Sequence, residues 1–171
     1  MIIDSIFVGY LYALRYDGEA DNELDRLLHQ WNNVRYLKLF AQKNKIRDIE
    51  TFVKARLDDI EDMEDTIDEI DQDNKNLKLF FQPLYNEETG LTTLSLQKAK
   101  RKNNKLRFYA IRIDDNLFLI TGGAIKMSLE MKDHTLTKKE LSKIYHAKAW
   151  LQDNGIFDND SFFEFINEQN D

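Results

Sequence analysis

Apolar positions recur with two different rhythms along the chain, and the changes of rhythm mark out its elements. Residues 6–16, Ile6-Phe7-Val8-Gly9-Tyr10-Leu11-Tyr12-Ala13-Leu14-Arg15-Tyr16, are dense in β-branched and aromatic side chains and stop at Asp17-Gly18. This predicts a strand, free to join a later sheet. From about residue 22, Leu24, Leu27, Leu28 and Trp31 fall at helical spacing, and Tyr36, Leu37, Phe40 and Ala41 repeat it after Asn32-Asn33, so two short helices follow. Ile49, Val53, Leu57, Ile60, Met63, Ile67 and Ile70 then recur every three or four residues, which lays one apolar stripe along a helix of about 25 residues. The default reading of that stripe is a core seam, with the polar faces in solvent.

After Phe80-Phe81-Gln82-Pro83-Leu84, which holds the chain's one proline, residues 86–90 read as a turn. Alternation then predicts a three-stranded antiparallel meander: residues 91–100, a turn at Arg101-Lys102-Asn103-Asn104, residues 106–113, a turn at Asp114-Asp115-Asn116, and residues 117–126 interrupted by Gly122-Gly123. Thr137-Lys138-Lys139-Glu140 has the spacing of a capping box at a helix start. That helix is expected to reach about residue 152, bury Leu141, Ile144, Tyr145 and Leu151, and stop at Asn154-Gly155. Ser161-Phe162-Phe163-Glu164 repeats the capping pattern for a short terminal helix. The predicted fold class is α+β: an N-terminal strand, a helical hairpin with a long acidic helix, an antiparallel sheet and C-terminal helices.

Composition adds limits. A chain of 171 residues fits one domain and can bury about 70% of its unfolded surface. With no cysteine, disulfides, thiolate metal sites and cysteine nucleophiles are excluded. The start, Met1-Ile2-Ile3-Asp4-Ser5, shows no basic leader, and no apolar run approaches membrane-spanning length, so a cytoplasmic protein without a membrane partner is expected.

The net charge of -7 conceals a strong segregation. Residues 58–73 carry ten carboxylates and no base, whereas residues 91–113 carry Lys98, Lys100, Arg101, Lys102, Lys105, Arg107 and Arg112 and no acid. The acidic run lacks the glycine turn and ligand order of a calcium loop, and no metal or other cofactor is expected. On a strand alternate residues share a face, so Lys98 pairs with Lys100 and Arg107 with Tyr109. With Lys126 nearby, these cations would form a phosphate site suited to RNA cleavage by the 2′-hydroxyl, with a lysine of lowered pKa or His134 moving the proton. A basic hairpin is otherwise a solvated edge that resists aggregation. His29 and His146 read as helix-surface residues.

Lys98-Ala99-Lys100, then Leu106-Arg107-Phe108-Tyr109-Ala110-Ile111-Arg112-Ile113-Asp114-Asp115-Asn116, then Ile120-Thr121-Gly122-Gly123-Ala124-Ile125-Lys126 resemble the sheet of the RelE/ParE/HigB toxin superfamily, and the Gly-Gly-Ala-Ile-Lys run resembles its HigB branch. The resemblance spans about residues 91–150 and implies the toxin of a type II toxin–antitoxin module, a metal-independent endoribonuclease cutting messenger RNA on the ribosome and held by an antitoxin. It places Lys98, Lys100, Arg107 and Lys126 in the site, with His134 as an assisting acid or base and Arg101, Lys102, Lys105 and Arg112 as RNA contacts. Family members often carry a second arginine after the last strand and a C-terminal tyrosine. Here those places hold Met127 and the neighbourhood of Asp133 and His134. ParE-like relatives act on DNA gyrase, so a non-catalytic protein-binding module is the alternative. The acidic helix would then dock a partner, or would cover the basic sheet of its own chain.

Overall fold

The computed structural model describes residues 1–72, 77–84, 94–127 and 135–171. Its centre is one six-stranded sheet in the order β1-β2-β6-β5-β4-β3, built from β1 (Ile2–Phe7), β2 (Leu11–Arg15), β3 (Phe81–Pro83), β4 (Ser95–Ala99), β5 (Leu106–Asp114) and β6 (Leu117–Ile125). The α+β class holds, and two expectations about the sheet need correcting. Residues 6–16 are not one strand: Gly9 takes φ +97°, a conformation glycine adopts without steric cost, and turns the chain into the β1–β2 hairpin. The sheet is mixed rather than antiparallel, because β2 runs parallel to β6, with Leu11, Tyr12 and Ala13 opposite Phe118, Leu119 and Ile120. Phe81–Pro83 adds the edge strand β3, and Pro83, with no N–H to donate, is tolerated at that edge.

The two short helices form where periodicity places them, α1 at Glu23–Trp31 and α2 at Val34–Lys43. Asparagines start both, with Asn22 Oδ1 accepting from Asp25 N at 3.0 Å and Asn33 Oδ1 from Tyr36 N at 3.1 Å. Helix α3 (Ile49–Gln72) buries Val53, Ile60, Met63, Ile67 and Ile70 with Ile49 and Leu57 packed alongside, so its stripe is a core seam. A single turn, α4 (Leu77–Phe80), leads into β3.

Helix α5 (Thr135–Asp153) starts two residues before the expected cap at Thr137. Of its expected buried face, Ile144 and Leu151 are buried, but Tyr145 is 48% exposed and Ala147 is buried instead. The last helix, α6 (Asn159–Gln169), is capped three residues earlier than the Ser161/Glu164 pattern suggests, because Asp158 and Ser161 form the box. The expected turn at residues 86–90, the first three residues of the predicted strand 91–100, and His134 lie outside the described residues.

Alternation on β5 sorts the core into two faces. Leu106, Phe108 and Ala110 face α1–α3 together with Trp31, Phe40 and Met63. Tyr109, Ile111 and Ile113 face the α5–α6 side together with Tyr12, Ile144 and Phe162. Among the described residues no helix is long and apolar enough to cross a membrane.

Candidate functional site

Three of the four expected sheet cations meet on the α5–α6 side. Lys98 is the Cα partner of Tyr109, and Arg107 lies two residues before Tyr109 on the same face of β5. Lys100 stands one residue past β4, where continuing the register sets it across from Arg107. Burial first, then the charges of Lys100 and Arg107, hold the Lys98 ammonium below the ordinary lysine pKa, which brings it toward general-base work. Among the described residues Lys98 and Lys100 have no ion-pair partner.

Arg107 is partly buried and preorganised. Its Nη1 donates to Asn104 O at 2.6 Å and Leu106 O at 2.8 Å, so the guanidinium is pinned to the turn and its remaining donors are left for a ligand. Lys126 follows β6, and its backbone N–H donates to Lys105 O at 2.7 Å, one rung beyond the pair of Ile125 with Leu106. Its backbone therefore borders the cation row. An open cleft of about 530 Å³ joins Lys100, Arg101, Lys102, Lys105 and Arg107 with Gln82, Asn103 and Asn104.

Two expected RNA contacts are placed differently. Arg112 occupies the opposite face of β5, the face of Phe108 and Ala110, because it lies an odd step of five positions from Arg107. Arg101 is engaged by the acidic helix, its Nε and Nη2 each 3.2 Å from a different oxygen of Asp62. Burial by itself raises the Asp62 carboxyl, but the bonds from Arg101 and Asn104 outweigh it and hold the group low. Helix α3 grips the same turn through Asp59, whose carbonyl accepts from Asn104 Nδ2 at 2.8 Å and whose carboxylate accepts from Lys105 N at 3.1 Å. The acidic helix thus clamps the hairpin tip from the other side of the sheet and leaves the Lys98 face to the α5–α6 side. His29 and His146 are exposed as expected.

A second constellation went unread in the sequence. The β2–β6 ladder ends at Ile120, and beyond it the Tyr16 phenol donates to Thr121 O at 2.8 Å in place of a strand neighbour. In the notch so formed Glu23 is 1% exposed. Arg26 grips it with Nε at 2.6 Å and Nη2 at 3.0 Å, and Lys143 Nζ of α5 donates to its Oε1. Burial alone would raise Glu23, yet Arg26 and Lys143 prevail and keep it ionised below the ordinary carboxylate range. Its neighbour Glu140 is shifted the opposite way, up, by burial first and by the Glu23 charge, with Lys143 opposing. Lys143 Nζ lies 3.3 Å from Glu140 Oε2, but that oxygen is buried with no hydrogen bond among the described residues. Lys143 Nζ also donates to Glu140 Oε1 at 3.4 Å, so the acid assigned to a helix cap is a buried carboxyl that shares the Lys143 ammonium with Glu23.

Gly122 and Gly123 make the notch possible. The Glu140 carboxyl rests where a Cβ on Gly122 would be. A Cβ on Gly123 would lie 2.5 Å from Arg107 O, 2.8 Å from Leu27 Cδ1 and 2.9 Å from Trp31 Cη2. The glycine pair lets α5 approach one face of β6 and α1 the other. Gly123→Ala meets backbone as well as side chain, so a loss of about 1–3 kcal/mol is expected, measurable by urea unfolding.

The chain matches no protein-family model, no curated protein and no solved structure.

Proposed function

We propose that the chain is a toxin of the RelE/ParE/HigB kind, acting in the cytoplasm as a metal-independent endoribonuclease on messenger RNA and held in check by an antitoxin. The observation that carries the reading is the gathering of Lys98, Lys100 and Arg107 on one face of β4 and β5, away from the acidic helix. In this mechanism Lys98 acts as the neutral amine, which its lowered pKa makes easier to reach, and takes the proton of the 2′-hydroxyl. Lys100 and Arg107, with Lys126 at the end of β6, hold the scissile phosphate and stabilise the charge that grows on it. His134 or a protonated lysine returns a proton to the leaving oxygen.

The test is expression in a bacterial host of wild type, Lys98→Ala and Lys98→Ala/Arg107→Ala, with growth and messenger RNA 5′ ends compared. Wild type is expected to arrest growth and create new ends. Loss of the general base in Lys98→Ala is expected to cut cleavage about 10²–10⁴-fold. Purified protein supplies a second readout: the slope of log affinity for single-stranded RNA against log salt should shrink by about 0.7 per cation removed. Equal harmlessness of all three chains retires the nuclease.

A second reading, a non-catalytic binding module on a RelE/ParE-like fold, is favoured by the outer side of α3. There Asp58, Glu61, Asp65, Asp68, Glu69 and Asp71 are exposed in one acidic ridge. Recovery of a basic protein partner or a gyrase subunit, without ribosomes, would select it.

A further inference from the structure

The sheet ends in two edges, and the chain guards them differently. At β3 the edge is three residues long and carries Pro83, which has no N–H to offer a further strand. At the other edge β1 runs for six residues, Ile2-Ile3-Asp4-Ser5-Ile6-Phe7, with neither proline nor lysine. Among the described residues no strand pairs with its outer side. Such an edge presents a row of backbone donors and acceptors ready to take another strand.

One rung of that row is occupied by a side chain. Gln169, the last residue of α6, accepts from Ile3 N with Oε1 at 2.9 Å and donates from Nε2 to Ile3 O at 2.9 Å. An antiparallel neighbour would exchange the same two bonds with Ile3. The amide carries a donor and an acceptor side by side, so Gln169 stands in for a missing strand. Its neighbours Asn167, Glu168, Asn170 and Asp171 are exposed, while Gln169 is half-buried. Swinging its side chain away frees Ile3 without unseating α6, which packs through Phe162, Phe163, Phe165 and Ile166. The next outward position, Ser5, is exposed already.

A second copy of β1 matches this edge. A two-fold antiparallel pair centred on Ile3 replaces both Gln169 bonds in each chain. It sets Ser5 against Met1 and Ile2 against Asp4, so no like charges face each other. Centring the pair on Asp4 would oppose two carboxylates, and centring it on Ser5 runs into the bulge between Ser5 and Phe7. A closed two-fold dimer requires self-matching of this kind. We propose that the outer edge of β1 is a strand-addition surface for a second copy of this chain, and that Gln169 is the gate that keeps it closed in the monomer.

The experiment is sedimentation velocity of the full chain, from micromolar to millimolar concentration, on wild type, Gln169→Ala, Gln169→Ala/Ser5→Pro and Gln169→Ala/Ile2→Asp. Gln169→Ala is expected to lower the dimer Kd at least about tenfold, since each dimer loses two gates. Ser5→Pro costs no bond to β2, because that N–H faces outward, but it takes a donor from the new ladder. Ile2→Asp sets carboxylates against Asp4 of the opposite chain and leaves the backbone untouched. Both double variants should therefore return to wild-type behaviour, with circular dichroism establishing that each is folded. Amide exchange at Ile3 should be faster in dilute Gln169→Ala than in wild type and slow again as concentration rises. A Gln169→Ala chain that stays monomeric at millimolar concentration, or that dimerises no more tightly than wild type, overturns the proposal. A dimer that survives both blocking substitutions forms elsewhere and overturns it too.

Discussion

Glu23→Ala is expected to lower the unfolding free energy by about 3 kcal/mol, the low end of the range for breaking a buried ion pair. The low end applies because Arg26 and Lys143 keep side-chain exposures of 26% and 23%, so both can turn toward water once the carboxylate is gone. The carboxylate itself is 1% exposed and takes the Arg26 fork and the Lys143 ammonium together. Removing it therefore unties α1 from α5 across the edge of the sheet. Urea unfolding measures the loss, and a change under about 0.5 kcal/mol, the size of a surface substitution, would show that the three groups are merely adjacent.

The same residue gives a pH signature with a definite sign. The Glu23 carboxyl is lowered from its ordinary value of 4.5, so its contribution is present above that value and is lost as pH falls through the folded value. The Glu140 carboxyl is raised, so its contribution is present below 4.5 and is lost as pH rises through its own folded value. Glu23→Gln should flatten the acid limb of the stability profile.

Trp31→Ala is the other large effect, about 3–5 kcal/mol, with a fall in Tm on the order of 10 °C for a chain of this size. Trp31 is 1% exposed and packs on Phe108 with ring centroids 5.4 Å apart. Its ring also lies against Gly123, close enough to exclude a Cβ there. Collapse around the vacated space is limited on one side by the backbone of β6 and on the other by the rigid ring of Phe108. Differential scanning calorimetry of the variant decides it, and a Tm within a degree or two of wild type would mean that the helices close over the gap.

These two residues also show where reading the chain succeeded and where it stopped. Trp31 was legible because Leu24, Leu27, Leu28 and Trp31 repeat at helical spacing, and burial follows directly from that repeat. Glu23 sits one residue before the same run and carries no such mark. A carboxylate in the first turn of a helix is ordinary, since it favours the helix dipole, and nothing local announces that Lys143, 120 residues away, will meet it. Glu140 was misread for a related reason: its spacing from Thr137 satisfies a capping box, but the helix begins at Thr135 and turns the carboxyl toward Gly122. Gly122-Gly123 was visible as an interruption of a strand, and only the packing of α1 and α5 explains it.

On the basic face the division is similar. Strand alternation alone put Lys98 with Lys100 and Arg107 with Tyr109, and the observed register keeps that arrangement. Alternation should also have set Arg112 apart from Arg107, since the spacing is odd. The fate of Arg101 depended on Asp62, which lies on a separate helix.

What residue order determined by itself is everything governed by short periods: the helices and most strands, the core stripe of α3, and which side chains of one strand share a face. These depend on bond geometry and burial within a few neighbours. What only the tertiary structure decided is the meeting of distant polar groups: the parallel seating of β2 on β6, the α3 clamp on the hairpin tip, and the Glu23–Glu140 notch. Such contacts are chosen by chain closure and by the requirement that buried charges be paired, and neither leaves a local trace in the order of residues.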